Sequence, residues 1–198
     1  LLDADIQNAY HQGLVKDYRF LKQKFQLENN QVLPLRFFRL RPPNFPTIRL
    51  SQLASLYHEH QNLFSKIIET KILDDFYNLF KVNTSTFWET HYTFQKESKL
   101  SVKTISRPFI DLLLINTILP IKFCYAKQKG ETIDEVILEL ISKIKSEKNS
   151  IIDAFNTLKP VSKSALQSQS LIQLKTEYCD KNKCLQCAIG NTLISGTI

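Results

Sequence analysis

The chain has 198 residues, of which 43% are hydrophobic and 23% are charged. This composition is that of a globular protein and excludes wholesale disorder, and the length suits one domain with a substantial core. The formal net charge of +7 weakly favours an acidic partner such as nucleic acid. The first residues show no signal pattern, so we expect a cytoplasmic chain, which we interpret as a fragment of a longer protein.

Apolar residues recur every three to four positions along most of the chain, a period that is typical of amphipathic helices. Between the first two helices, four prolines in residues 33–47 preclude a continuous helix. The last predicted helix is a short one that follows the cysteines. The others cover residues 5–26, 47–59, 62–82 with a break near Thr70, 109–125, 132–144, 150–158 and 162–178.

The most hydrophobic segment, residues 109–125, is predicted to be the central core helix and to kink at Pro120. Its apolar run falls short of the roughly 20 residues that a membrane span needs, so we expect no membrane partner. In the next helix, Thr132 and Glu135 have the spacing of a capping box. Glycine at position 130 separates the two helices.

Together these patterns predict an all-α fold. No segment alternates convincingly with period two, so little or no sheet is expected. We expect an irregular bundle of about seven to nine helices around the hydrophobic one. The bundle forms a single domain over residues 1–198, and a boundary between sub-bundles is best placed in the polar stretch 96–103.

A cysteine cluster near the end of the chain is the strongest candidate site. Cys179, Cys184 and Cys187 follow a helix with the spacing C-x4-C-x2-C, which suits zinc and also the first three ligands of an iron–sulfur loop. A fourth ligand is needed, and Cys124 is the one cysteine left, although it lies in a predicted core helix. The alternative is that these are ordinary free cysteines, Cys124 being a small apolar core residue.

The second candidate is a basic, aromatic stretch in the proline-rich loop and the helix after it. Arginine forks match phosphate geometry, and exposed aromatic rings can stack on bases, so this stretch is a candidate nucleic-acid interface. In the alternative, the phenylalanines pack inward and the arginines bond loop carbonyls and carboxylates. The stretch contains Phe37, Phe38 and Phe45 among Arg36, Arg39, Arg41 and Arg49.

No nucleophile elbow, glycine-rich phosphate loop or carboxylate pair is present in the sequence, so no catalytic residue is predicted. The preferred interpretation is a non-catalytic helical module that supports or targets an N-terminal domain of its own chain and contacts nucleic acid through the basic loop. The alternative is a fragment of an enzyme that carries a cysteine-ligated zinc or iron–sulfur site.

Several long and distinctive motifs run through the chain. They are residues 38–53, Leu114 to Pro120, Glu147 to Asn149, Ser168-Gln169, and Tyr178-Cys179 with Cys184 to Gly190. These motifs resemble those of an uncharacterised bacterial family, domain of unknown function 2851, and the resemblance runs from about residue 18 to the end of the chain. It implies that the chain is the C-terminal half of its protein and that a restriction-endonuclease-like core lies in the other half, so it transfers no catalytic residue.

Overall fold

The computed structural model describes Leu2 and residues 5–30 and 32–196. Helix accounts for 62% of the residues and strand for 5%, which confirms the all-α class. Nine helices lie in this described part, within the predicted range. They are α1 Ala9–Phe25, α2 Pro46–Glu59, α3 Leu63–Glu69, α4 Leu73–Leu79, α5 Arg107–Gln128, α6 Asp134–Lys143, α7 Ser150–Leu158, α8 Ala165–Leu174 and α9 Ala188–Ser195.

The sheet is a single antiparallel pair in the described residues, β1 His91–Thr93 with β2 Lys96–Glu97. A 3-10 turn, Thr86–Glu89, precedes it and places Trp88 in the interior. The prediction of little or no sheet is confirmed, because this hairpin is the whole of it in the part of the chain that is described.

The chain divides into two compact units. The first comprises the described residues up to Lys66 together with Asn78–Ser106, and the second comprises Ile67–Tyr77 and the described residues from Arg107 onward. The sequence predicted one domain with an internal boundary in the stretch 96–103. In the structure that stretch belongs to the first unit, and the chain passes to the second unit between Ser106 and Arg107.

A buried lysine, Lys103, shows that the polar stretch 96–103 is not a solvated linker. Lys103 is only 7% exposed, and its ammonium donates to the backbone carbonyls of Trp88, Glu89 and Ser101. Burial lowers the pKa of Lys103, and the charge of Glu89 opposes that shift. The residue therefore organises the hairpin region instead of lying in a solvated linker.

The core of the first unit is aromatic. Ile48, Trp88 and Phe94 are buried together, and side chains from α1 and the hairpin pack around them. Helix α2 begins with Pro46 in its first turn, a position where proline's missing N–H costs nothing. Thr47, the second residue of α2, donates its hydroxyl to the Tyr92 carbonyl at 2.6 Å and so joins α2 to β1.

In the second unit, α5 contains the predicted hydrophobic segment and extends it at both ends. A π turn, Leu114–Ile118, lies just before Pro120, where a kink was expected, and in it the Leu119 N–H donates to the Leu114 carbonyl. Proline has no N–H and its ring crowds the carbonyl one turn earlier, and a π turn relieves both constraints. Among the described helices, α5 is the one that has the length and apolar composition to cross a membrane; in its most apolar window, 39% is buried inside the protein.

A second buried lysine holds α5 to α3. The Lys122 ammonium is 3% exposed and donates to the carbonyls of Ile67, Ile68 and Thr70 at 2.9, 2.5 and 2.9 Å. These carbonyls lie at the C-terminal end of α3, where a helix lacks donors and where its dipole favours a positive charge. Burial, with a smaller contribution from the charge of Lys71, lowers the pKa of Lys122 to about 8.

The start of α5 is tied to α4 by a polar network. Tyr77 donates its hydroxyl to the Asp111 carboxylate at 2.6 Å, while the Arg107 guanidinium covers the Tyr77 ring and bonds Asp74 at 3.1 Å. Burial, followed by the bond to Asp111, raises the pKa of Tyr77 to about 12. Asp111 interrupts the apolar run of the sequence because it serves this contact.

The predicted capping box at Thr132 and Glu135 is not formed. Helix α6 takes Ile133 as its N-cap, without a side-chain hydrogen bond, which leaves Glu135 at the second helical position instead of the third. The capping box that the structure does contain begins α8, where Ser164 and Gln167 bond each other's backbone. Gly130, with φ +74°, ends α5 in the left-handed conformation that favours glycine.

We expect Leu114→Ala to destabilise the protein by about 2–5 kcal/mol, because Leu114 is fully buried in α5 and its loss leaves a cavity. The neighbouring Leu113, expected from the sequence to be buried, is only half-buried. Leu112→Ala is the matched control, since that side chain is 44% exposed on the same helix. Urea unfolding of the two variants gives the comparison, and equal losses would contradict the burial of Leu114.

We also expect the free energy of unfolding to rise with pH between about 8 and 10.5 through Lys122. In that window the folded state has released the lysine proton while the unfolded state still holds it, so higher pH favours folding. Urea unfolding of the wild type and of Lys122→Met at pH 7 and pH 10 measures the effect. The stability of the wild type relative to Lys122→Met should rise with pH, and a constant difference would contradict the lowered pKa.

Lys127→Met is the control for that experiment. Lys127 lies on the same helix but is exposed, with its ammonium 4.6 Å from the centre of the Phe123 ring. The stability difference between Lys127→Met and the wild type should therefore not change across the same pH range.

Candidate nucleic-acid interface and cysteine segment

The proline-rich segment of the first unit forms a tight turn that carries the basic loop. The Leu40 N–H donates to the Phe37 carbonyl at 3.2 Å, and Arg39 adopts a φ of 62°. This left-handed residue is uncommon outside glycine and turns the chain sharply. As a result Phe38 is pushed outward and is 81% exposed.

Three of the four predicted arginines lie on this outward-facing loop. Arg36, Arg39 and Arg41 are exposed, and within the described residues none of their guanidiniums has a hydrogen bond or an ion pair. Arg39 lies against the exposed phenylalanine, with its guanidinium carbon 5.2 Å from the Phe38 ring centre. These residues combine positive charge and an aromatic face at one place on the surface.

The fourth arginine, Arg49, is used internally. It donates to the side-chain oxygens of Gln52 at 2.8 Å and Asn44 at 2.6 Å, and burial lowers its pKa. Gln52 in turn donates to the Lys103 carbonyl at 3.1 Å. Arg49 therefore joins the proline-rich loop to α2, and these internal bonds distinguish it from the three exposed arginines with which the sequence groups it.

An open groove of about 1090 Å³ lies beside the basic loop, within the first unit. One wall is the segment 32–37, and the others come from α1, α2 and the region of Trp88 and Phe94. Among the described residues that line it, none carries a charge. Five of them are aromatic: Tyr10, Tyr18, Phe37, Trp88 and Phe94.

Hydroxyl groups add a polar element to this groove. Tyr10 and Ser85 share a hydrogen bond of 3.0 Å, and the Ser51 hydroxyl accepts from the Ser85 N–H at 3.2 Å. Helix α2 presents Ser51, Ala54 and Ser55 to the groove, at the spacing of one helix face. The sequence did not predict this groove. The one sequence feature that indicates it is the apolar run beside Pro34, in which Val32 and Leu33 are 71% and 83% exposed.

The cysteine segment forms a compact backbone turn. A π turn, Lys175–Cys179, continues α8, and the Lys183 N–H then donates to the Tyr178 carbonyl at 2.9 Å to reverse the chain. Cys184 begins a 3-10 turn, and Cys187 is the N-cap of α9.

The sulfurs themselves do not form a metal cage. Within the described residues, which include all four cysteines, no group of three or more His, Cys, Asp or Glu side chains is placed to hold a metal ion. All four thiols are free, and Cys124, expected in the core, is exposed on α5. A zinc or iron–sulfur site at Cys179, Cys184 and Cys187 therefore stays a prediction from spacing alone.

Close packing in this segment explains why glycine lies at position 190. A Cβ added at Gly190 would lie 2.5 Å from the Cys184 carbonyl oxygen, a distance that backbone atoms cannot tolerate. Glycine thus allows α9 to lie directly on the 3-10 turn. The turn and the helix therefore form one closely packed element.

A family model described as "Protein of unknown function (DUF2851)" matches residues 1–150. The chain belongs to this family. The match begins earlier than the resemblance we inferred and leaves out the cysteine segment, so the motifs after residue 150 fall outside it. Neither the curated proteins nor the solved structures contain a significant match to the chain.

The structure assigns structural roles to several motifs by which the DUF2851 resemblance was inferred. In the second unit, Ser168 is fully buried and its hydroxyl accepts from the Glu147 N–H at 3.3 Å, while Gln169 donates to the Glu147 carboxylate. Asn149 caps α7 by accepting from the N–H groups of Ile151 and Ile152. Two motifs that are far apart in sequence are thus directly bonded.

Proposed function

We propose that this DUF2851 chain is a non-catalytic helical module that contacts the phosphate backbone of nucleic acid through its basic loop. The observation that carries the proposal is the exposure of Arg36, Arg39 and Arg41, whose guanidiniums have no hydrogen bond or ion pair in the described residues. An arginine fork binds phosphate in two places, and an exposed ring beside it can stack on a base. Arg49 differs from these three, because its guanidinium is bonded to Gln52 and Asn44 within the protein.

The charge around the loop supports a polyanionic partner. In the sequence no acidic residue lies between Glu28 and Glu59, so nothing along this stretch neutralises the arginines. The whole chain adds a net charge of +7, which favours approach of a polyanion at low salt. This local excess of positive charge is the feature expected of a phosphate-binding surface.

We propose further that the module is the C-terminal half of a longer cytoplasmic protein and packs against that protein's N-terminal half. The support is the apolar surface of α1, where Phe20, Leu21 and Phe25 are 61%, 42% and 59% exposed. Large apolar side chains that lie together on a surface are typical of an interaction site.

Co-expression of the two halves tests this second proposal. The N-terminal half should co-elute with the wild-type module and not with the variant Phe20→Ser/Phe25→Ser. Gln23→Ser, an exposed polar change on the same helix, is the control and should leave co-elution intact. Co-elution that survives the double phenylalanine variant would contradict packing on α1.

For the basic loop, we expect binding to a labelled duplex to weaken as salt rises, because each phosphate contact releases counterions. Fluorescence anisotropy at several salt concentrations gives the slope of log K against log salt. The triple variant Arg36→Gln/Arg39→Gln/Arg41→Gln removes up to three contacts, which should reduce the slope by up to about 2.7.

The control for the loop variant removes the same charge elsewhere. Lys127, Lys159 and Lys163 are exposed in the second unit, and changing all three to Gln alters the net charge equally. This control should change the slope far less than the loop variant does. Equal slopes for the two variants would show that binding follows net charge and not the basic loop.

A further inference from the structure

We propose that the groove beside the basic loop takes unpaired bases, so that the ligand of this surface is single-stranded nucleic acid. The inference rests on the proposed function, because the same strand would place its phosphates on Arg36, Arg39 and Arg41. It goes further by naming the kind of strand and a second site, the groove, for its bases.

Continuity of the chain brings the two sites together. Val32, Leu33, Leu35 and Phe37 line the groove, and the three exposed arginines lie on the same segment, between and just after them. A strand that follows this segment would meet positive charge and an apolar wall side by side. That is the arrangement in which a sugar–phosphate backbone binds outside and its bases turn inward.

The lining of the groove matches the chemistry of a base. Bases are flat and uncharged, and they carry donors and acceptors at their edges. For stacking, the groove offers the partly exposed rings of Tyr10, Tyr18 and Phe37, while Trp88 and Phe94 line it from buried positions. It has hydroxyls such as those of Ser51 and Ser55 for the edges, and no charged side chain among its described lining residues. A duplex has its bases stacked and paired, so it can reach the loop but cannot fill the groove.

The groove has room for more than one base. Its volume of about 1090 Å³ is at the upper end of the range of about 300–1000 Å³ that is usual for ligand sites. An extended apolar peptide would also fit, but it would offer no negative charge to the three exposed arginines. Charge complementarity therefore selects the nucleic acid strand over the peptide.

Trp88 makes the groove directly observable. It is the one tryptophan in the chain, and it lines the groove. We expect a single-stranded oligothymidylate to quench its fluorescence, whereas inorganic polyphosphate, which has charge but no bases, should not. Anisotropy of labelled strands should show the single strand binding at least about tenfold more tightly than a duplex of equal length, the effect of one or two stacked bases.

Filling the groove separates base binding from phosphate binding. Ala54→Phe places a ring in the groove from an exposed position of α2, and it should abolish both the quenching and the preference for the single strand. Duplex binding and its salt slope should remain. Leu53→Phe is the matched control, because Leu53 is 47% exposed on the same helix and does not line the groove.

The outcomes distinguish this inference from the proposed function. If the wild type binds neither strand, the proposed function fails and this inference fails with it. If single strand and duplex bind equally without quenching, the basic loop stands and base binding in the groove is overturned. A preference that survives Ala54→Phe, or quenching by a leucine-rich peptide but not by the strand, overturns it as well.

Discussion

A buried ammonium that bonds backbone carbonyls is the interaction on which the rest of the structure depends. In the second unit, Lys122 reaches from the middle of the apolar helix α5 to the end of α3 and satisfies three carbonyls there. Short helices leave their last carbonyls without partners, and burying such groups is costly unless a donor meets them. Because Lys122 meets that need, α3 can end against α5 without exposing its C-terminus to water.

In the first unit, Lys103 likewise donates hydrogen bonds to backbone carbonyls. Its ammonium bonds three carbonyls around the aromatic hairpin and lies 4.3 Å from the centre of the Tyr92 ring. The lysine's own carbonyl accepts from Gln52, which is held by Arg49. A chain of polar contacts thus runs from the hairpin through α2 to the proline-rich loop. The loop can be irregular because this network orders it.

Several motifs that resemble DUF2851 signatures are therefore explained by the fold. Arg49, Glu147 and Gln169 form internal bonds, and Gly190 permits a close backbone contact. Residues that the fold employs in this way need no catalytic role to account for them. Among the described residues of the first unit, the exposed arginine loop and the groove beside it have no such internal role, and function is best sought there.

The sequence by itself determined the helical class, most helix positions and the break near Thr70. These features depend on the spacing of apolar residues and on local breakers, which act within a few positions of the chain. It also identified the basic loop, since exposed Arg36, Arg39 and Arg41 are a local charge pattern. The helix α7 had the bounds that its periodicity predicted.

Only the tertiary structure decided which polar residues serve the interior. Lys122 is bonded to carbonyls more than 50 positions away in the sequence. Lys103 lies in a polar stretch that has the composition of a solvated linker, but in the folded protein its side chain is buried against the hairpin region. Arg49 has its partners Gln52 and Asn44 only three and five positions away, but the sequence does not show that the loop turns back so that Asn44 reaches the guanidinium. The groove likewise arises from packing between distant segments, which a one-dimensional pattern does not encode.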